Sequence, residues 1–122
     1  MYEAIKNILT NKRAYEAEHC FLLSCCQGRE NRLSLKQSER LAELEENLNC
    51  IDAWMKLLSD DEAFVVRRHL IDGIDISRIV VEYGEKWGAE FAKTDRTIKT
   101  YQQRALVKIE EFEKHKFQLM EE

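Results

Sequence analysis

Apolar positions recur along this chain at helical rather than strand spacing. In the first segment, Ile5, Ile8, Leu9, Tyr15, Leu22, Leu23 and Cys26 share one face, which predicts a helix from Tyr2 to about Cys26. Lys12 and His19 interrupt that face, and Gln27-Gly28 is expected to end it. Arg29 to Ser34 reads as a polar loop. A second helix is predicted from about Leu35 to Leu58. In it, Leu41, Leu44, Leu48, Ile51, Met55 and Leu58 alternate three and four residues apart, the spacing of a heptad seam. The seam suits the first helix folded back as an antiparallel hairpin. The hairpin is the favoured arrangement, and a homodimer through Leu41, Leu44, Leu48, Ile51 and Met55 stays open as the second.

Ser59-Asp60-Asp61-Glu62 has the form of a capping box, so a new helix should start at Asp60 and run to about Ile71. Asp72-Gly73 breaks it, and Asp75 is placed to cap the next helix, which carries Ile76, Ile79, Val80 and Tyr83 inward. Gly84 and Gly88 mark a turn region. Thr94 is placed to cap a last helix running to about Leu119. The fold class expected is all-α, without winged elements. The organisation expected is a helical hairpin over 1–58 and a helix-turn-helix region with a long C-terminal helix over 59–122.

Composition agrees, because proline is absent and only four glycines interrupt 122 residues. The net charge of −4 argues against a chain basic throughout, but the charge is unevenly placed. Residues 33–72 carry five basic against nine acidic side chains, whereas residues 92–108 carry Lys93, Arg96, Lys99, Arg104 and Lys108 against Asp95 alone. Four cysteines, Cys20, Cys25, Cys26 and Cys50, lack the paired spacing of a zinc site, so reduced thiols and no metal are expected. The amphipathic N-terminus is unlike a signal peptide, and no apolar run approaches the length of a membrane span. The expected location is the cytoplasm. His19, His69 and His115 are scattered, and no phosphate loop or nucleophile motif appears. An enzyme with catalytic residues or a cofactor is therefore not expected, and His69 reads as structural.

The helix after Thr94 carries the candidate chemistry. At 100° per residue, with Ile98 inward, Tyr101, Ala105, Ile109 and Phe112 also fall inward. Arg96, Thr100, Gln103 and Val107 fall outward, flanked by Thr97, Lys99 and Arg104. Arginine pairs with guanine and glutamine with adenine, while lysine and threonine suit phosphates. The nucleic-acid-binding set is thus Lys93, Thr94, Arg96, Thr97, Lys99, Thr100, Gln103, Arg104 and Lys108, with double-stranded DNA as partner. Within it, Lys93, Lys99, Arg104 and Lys108 are expected on phosphates and Arg96, Thr100 and Gln103 on bases.

Leu57-Leu58-Ser59-Asp60-Asp61-Glu62, Val65-Val66-Arg67-Arg68, Asp72-Gly73, Ile79, Arg96-Thr97-Ile98 and Arg104-Ala105-Leu106-Val107-Lys108-Ile109 resemble region 4 of bacterial sigma-70 family factors. With a helical hairpin in front, the chain resembles the ArpU-type phage and mobile-element regulators. The resemblance covers about Leu57 to Phe112. It implies a helix-turn-helix whose last helix reads a promoter through Arg96, Thr97, Lys99, Thr100 and Gln103, and RNA polymerase as a further partner. Two departures stand out. Nine residues, Glu85 to Lys93, separate Gly84 from the cap, with Trp87 and Phe91 expected to pack this approach onto the core. Asp95 follows the cap where the family is often basic. A helical interaction scaffold, or a DNA-packaging adaptor of the small-terminase type, is the alternative that the heptad seam suits.

Overall fold

The computed structural model describes residues 2–25 and 33–121. Every regular element among them is a helix: α1 (Tyr2–Thr10), α2 (Lys12–Cys25), α3 (Leu35–Lys56), α4 (Asp60–Val66), α5 (Ile76–Trp87) and α6 (Asp95–Glu121). A π-helical turn, Arg67–Ile71, follows α4, and a 3₁₀ turn, Ala89–Phe91, follows α5. Among the described residues no helix is long and apolar enough to cross a membrane. The expected stop at Gln27-Gly28, Cys26 and most of the polar loop before Ser34 lie outside the described residues.

The single N-terminal helix expected from the sequence is two helices. Around Asn11 the Asn7 carbonyl accepts from the Asn11 amide (3.1 Å), the Asn11 side-chain Nδ2 (2.7 Å) and the Thr10 hydroxyl (3.1 Å). Side chains that compete for a helical carbonyl in this way bend the chain. The bend lets α1 pack on the π-turn and α6 while α2 lies along α3. Arg40 donates two 2.8 Å bonds to Glu18 across the α2–α3 contact, with Leu22 and Leu44 buried in it.

The heptad seam faces into the molecule. Leu44 and Ile51 are fully buried, and Leu41, Leu48, Met55 and Leu58 are half-buried. Leu44 and Ile51 are thus committed within the chain, and the packing of α2 along α3 favours the hairpin over a homodimer through Leu41, Leu44, Leu48, Ile51 and Met55. A capping box also starts α3: Ser34 Oγ accepts from the Gln37 amide at 3.1 Å, and Gln37 Oε1 accepts from the Ser34 amide at 2.9 Å.

Two apolar clusters form the core. One gathers Ile5 and Leu9 of α1, Ile51 and Trp54 of α3, Val66, Leu70 and Ile71, and Ala105, Leu106 and Ile109 of α6. The other gathers Val65, Ile79, Tyr83 and Ile98, with Phe64, Trp87 and Tyr101 against them. Adjacent residues Val65 and Val66 serve different clusters, and α6 serves both. The first cluster takes residues from both sides of the boundary expected at 58/59, so that boundary does not divide the core.

The Ser59–Glu62 capping box is present as read. Beyond α4 the helix widens, with the Asp72 amide donating to the Arg67 carbonyl at 2.8 Å. Gly73 then takes a left-handed φ of 72°, which favours glycine. Asp75 stands at the start of α5, but its side chain makes no capping bond; its carbonyl alone accepts from Arg78 and Ile79. Gly84 is not a turn. It lies inside α5, which ends at Gly88 with φ 103°.

An ionic network holds this region together. Arg68 bonds Glu82 at 2.8 and 2.9 Å and Asp72 at 2.9 Å, and Arg13 of α2 reaches the same Asp72. Burial pushes the Asp72 carboxyl up, but Arg13 and Arg68 outweigh it and hold it below its ordinary value. The Arg68 hydrogen bond lowers Glu82 likewise. A carboxylate depressed in the folded state stabilises above its ordinary pKa and loses that contribution as pH falls through the lower folded value. Urea midpoints should therefore be flat above about pH 5 and fall from about pH 4 downward. Asp72→Asn should flatten that fall; an acid limb identical to the wild type would contradict the role given to Asp72.

Candidate nucleic-acid interface

The face begins where Thr94 caps α6. Thr94 Oγ1 accepts from the Thr97 amide at 3.3 Å, and its carbonyl accepts from the Ile98 amide at 3.0 Å. Ile98, Ala105, Leu106 and Ile109 are fully buried, with Tyr101 and Phe112 half-buried beside them. The inward set read from periodicity is the inward set of the structure, with Leu106 added. That anchoring leaves Arg96, Lys99, Thr100, Gln103, Arg104 and Val107 exposed on the opposite side, and Lys93 and Thr97 half-buried at the edge.

The approach to this helix is shorter than the sequence suggested, because Glu85, Lys86 and Trp87 form the last turn of α5. Trp87 packs on Tyr83 (ring centroids 4.3 Å apart) and Phe64 (5.1 Å). Phe91, expected on the core, is instead 53% exposed on the 3₁₀ turn, because that turn closes on Gly88 and Ala89 carbonyls and carries it outward.

Lys93, Arg96, Lys99 and Arg104 form no ion pair among the described residues, whereas Arg13, Arg40, Arg68 and Arg78 all do. The Arg104 guanidinium lies 5.9 Å from the centre of the Tyr101 ring, which restrains it without neutralising it. Asp95 is exposed in the first turn, where an acid suits the helix dipole.

Several members of the expected set are engaged. The Thr100 hydroxyl donates to the Arg96 carbonyl at 2.9 Å, and the Thr94 and Thr97 hydroxyls are 3.1 Å apart. Gln103 Oε1 accepts from the Tyr2 hydroxyl at 2.8 Å, which fixes the amide plane and turns its NH₂ away from α1. Nothing local in the sequence marks Tyr2, which lies 101 positions away. His69 of the π-turn bonds Gln102, the residue beside it.

Lys108 departs from the phosphate role expected of it. Its Nζ lies 2.6 Å from Oε1 of Glu62, a carboxylate 5% exposed that also accepts from the Ser59 amide at 3.0 Å. Burial pushes the Glu62 carboxyl up, but Lys108 and Ser59 outweigh it and hold it below the ordinary range. Lys108→Ala should cost about 1–2 kcal/mol, less than for a fully buried pair because the amine is half exposed. Denaturant unfolding would show it, and Glu62→Gln in the same chain should recover part of the loss. An unchanged midpoint would show that Lys108 is free for other partners. The same residues line a shallow groove of about 510 Å³ with Thr100, Gln103, Arg104 and Val107.

Three of the four cysteines lie among the described residues, and none of the three is in a disulfide. Cys20 and Cys25 are exposed, Cys50 is half-buried with its thiol pushed up by burial, and His19 bonds Glu45 at 3.3 Å. Among the described residues no three His, Cys, Asp or Glu side chains come together as a metal set. No family model matches this chain, and neither a curated protein nor a solved structure matches it.

Proposed function

We propose that this protein is a sequence-specific DNA-binding transcription regulator. In this reading α4, α5 and α6 form a sigma-region-4-like helix-turn-helix, and α2 and α3 form the hairpin expected in front of it, with α1 bracing the reading helix. The observation that carries it is the row of unpaired, exposed cations on the first turns of α6, whose opposite face is locked in the core. A helix held so rigidly presents its side chains at fixed angles, as groove reading requires. Arg96 and Gln103 read bases, and Lys93, Lys99 and Arg104 meet phosphates, with Thr97 and Thr100 at the groove edge. Lys108 positions the helix through Glu62. The acidic α3 is a candidate surface for RNA polymerase. Origin in a phage or mobile element follows from the ArpU-type resemblance.

Titration against random duplex and fragmented genomic DNA at two salt concentrations tests this. Binding that weakens steeply with salt and favours a subset of genomic fragments is the expected result. Absence of binding to any duplex at low salt would overturn the reading and leave the interaction scaffold or packaging adaptor.

A further inference from the structure

Gln103 stands on the exposed face of α6, but one end of its amide is already engaged. Its Oε1 accepts from the hydroxyl of Tyr2, the first residue of α1, at 2.8 Å. The helix that carries Tyr2 is firmly seated, because Ile5 and Leu9 are buried with Ala105, Leu106 and Ile109 of α6. The Tyr2 ring packs against the same cluster, so its hydroxyl reaches Gln103 from a fixed base. Lys6, one turn on, holds its Nζ 5.7 Å from the centre of that ring and forms no ion pair among the described residues. Its positive charge favours the amide oxygen on the α1 side, and the NH₂ then faces away.

A glutamine that grips adenine uses both ends at once: the oxygen accepts from N6–H₂ and the NH₂ donates to N7. Tyr2 holds the oxygen end, and so α1 rather than the base sets the amide plane. The oxygen keeps a second lone pair, but the two ends no longer swing together edge-on to adenine. What Gln103 offers outward is a donor alone. Guanine presents two adjacent acceptors in the major groove, N7 and O6, which the hydrogens of one NH₂ can meet. Resting on the DNA-binding reading above, we infer that Tyr2 is a positioning residue for base selection, which turns Gln103 from an adenine reader into a donor for guanine. The hydroxyl carries this choice and the ring does not. In this way α1 takes part in sequence reading without itself touching a base.

Tyr2→Phe tests this in the full-length chain, since it removes the hydroxyl and keeps the ring on the cluster. Selection from a randomised duplex library first locates the position that Gln103 reads, as the one whose preference Gln103→Ala erases. The wild type should favour guanine there. Tyr2→Phe should move that preference to adenine by at least about fivefold, while every other position and the denaturant midpoint stay as in the wild type. A merely structural role for Tyr2 would instead weaken binding to all sequences alike. A second readout needs no DNA. The side-chain amide signal of Gln103 in the magnetic resonance spectrum, assigned by its loss in Gln103→Ala, should shift in Tyr2→Phe. The proposal is overturned if Gln103→Ala erases no preference, if the wild type favours adenine, if Tyr2→Phe keeps the wild-type preference, or if the amide signal does not move. Failure of the wild type to bind any duplex would remove the DNA-binding reading and the guanine assignment with it, while a shifted amide signal would still report the contact.

Discussion

Replacing Arg96, Lys99 and Arg104 together by alanine is expected to lower duplex affinity at least about a hundredfold at low salt and to reduce the salt slope by roughly 2–3. Each side chain is exposed and none forms an ion pair among the described residues, so each is free to displace a counterion from phosphate. None contributes to the buried clusters, so denaturant midpoints should shift by no more than about 0.5 kcal/mol per site. That separation is diagnostic, since lost binding with retained folding assigns the effect to the surface. Restoring Arg96 alone should recover preference for the cognate sequence more than affinity for random duplex, because an arginine on a base edge discriminates by about 1–3 kcal/mol. An unchanged salt slope in the triple variant would place the binding surface elsewhere.

Leu106→Ala should produce the largest loss of stability, about 2–5 kcal/mol. Leu106 has no exposed surface and shares its cluster with Ile5 and Leu9 of α1, Ile51 and Trp54 of α3, and Leu70 and Ile71 of the π-turn. Three separate segments meet around it, so no single one can close the cavity by moving. Against a domain stability of about 5–15 kcal/mol, the change corresponds to a drop of roughly 10–20 °C in the melting midpoint. Val107→Ala, one residue on and 42% exposed, should stay within about 0.5 kcal/mol of wild type. Equal losses at the two positions would show that α6 is not seated in the core by this face.

The legible parts of this molecule are those written in local periodicity. One rotation of 100° per residue from Ile98 gave the inward and outward sides of the first turns of α6 apart from Leu106, and Ser59 with Glu62 announced the start of α4. The features that escaped are pairings at long range or choices between equal local signals. Lys108 meets Glu62 across 46 positions and Tyr2 meets Gln103 across 101, separations that leave no mark on either neighbourhood. A lysine on a basic helix looks free until the carboxylate under it is known. The heptad seam left two partners open, and only the placement of α2 along α3 favours the hairpin. Gly84 reads as a breaker, but a glycine costs a helix only about 1 kcal/mol, and Tyr83 and Trp87 on either side outweigh that by packing. Asp75 and Phe91 show the same limit: the residue type suits a role that the local backbone does not let it perform.

One continuous helix of 27 residues, α6, runs from the exposed cations past both apolar clusters to Phe117 and Leu119, a span of about 40 Å. Such a rod has no hinge of proline or glycine along it. Its two ends therefore keep a fixed distance and a fixed relative azimuth, and whatever grips one end sets the bearing of the other. The helix acts as a gauge rod: an insertion of one residue within it would turn everything beyond the insertion by about 100° relative to the cations, although the chemistry at each end stayed intact.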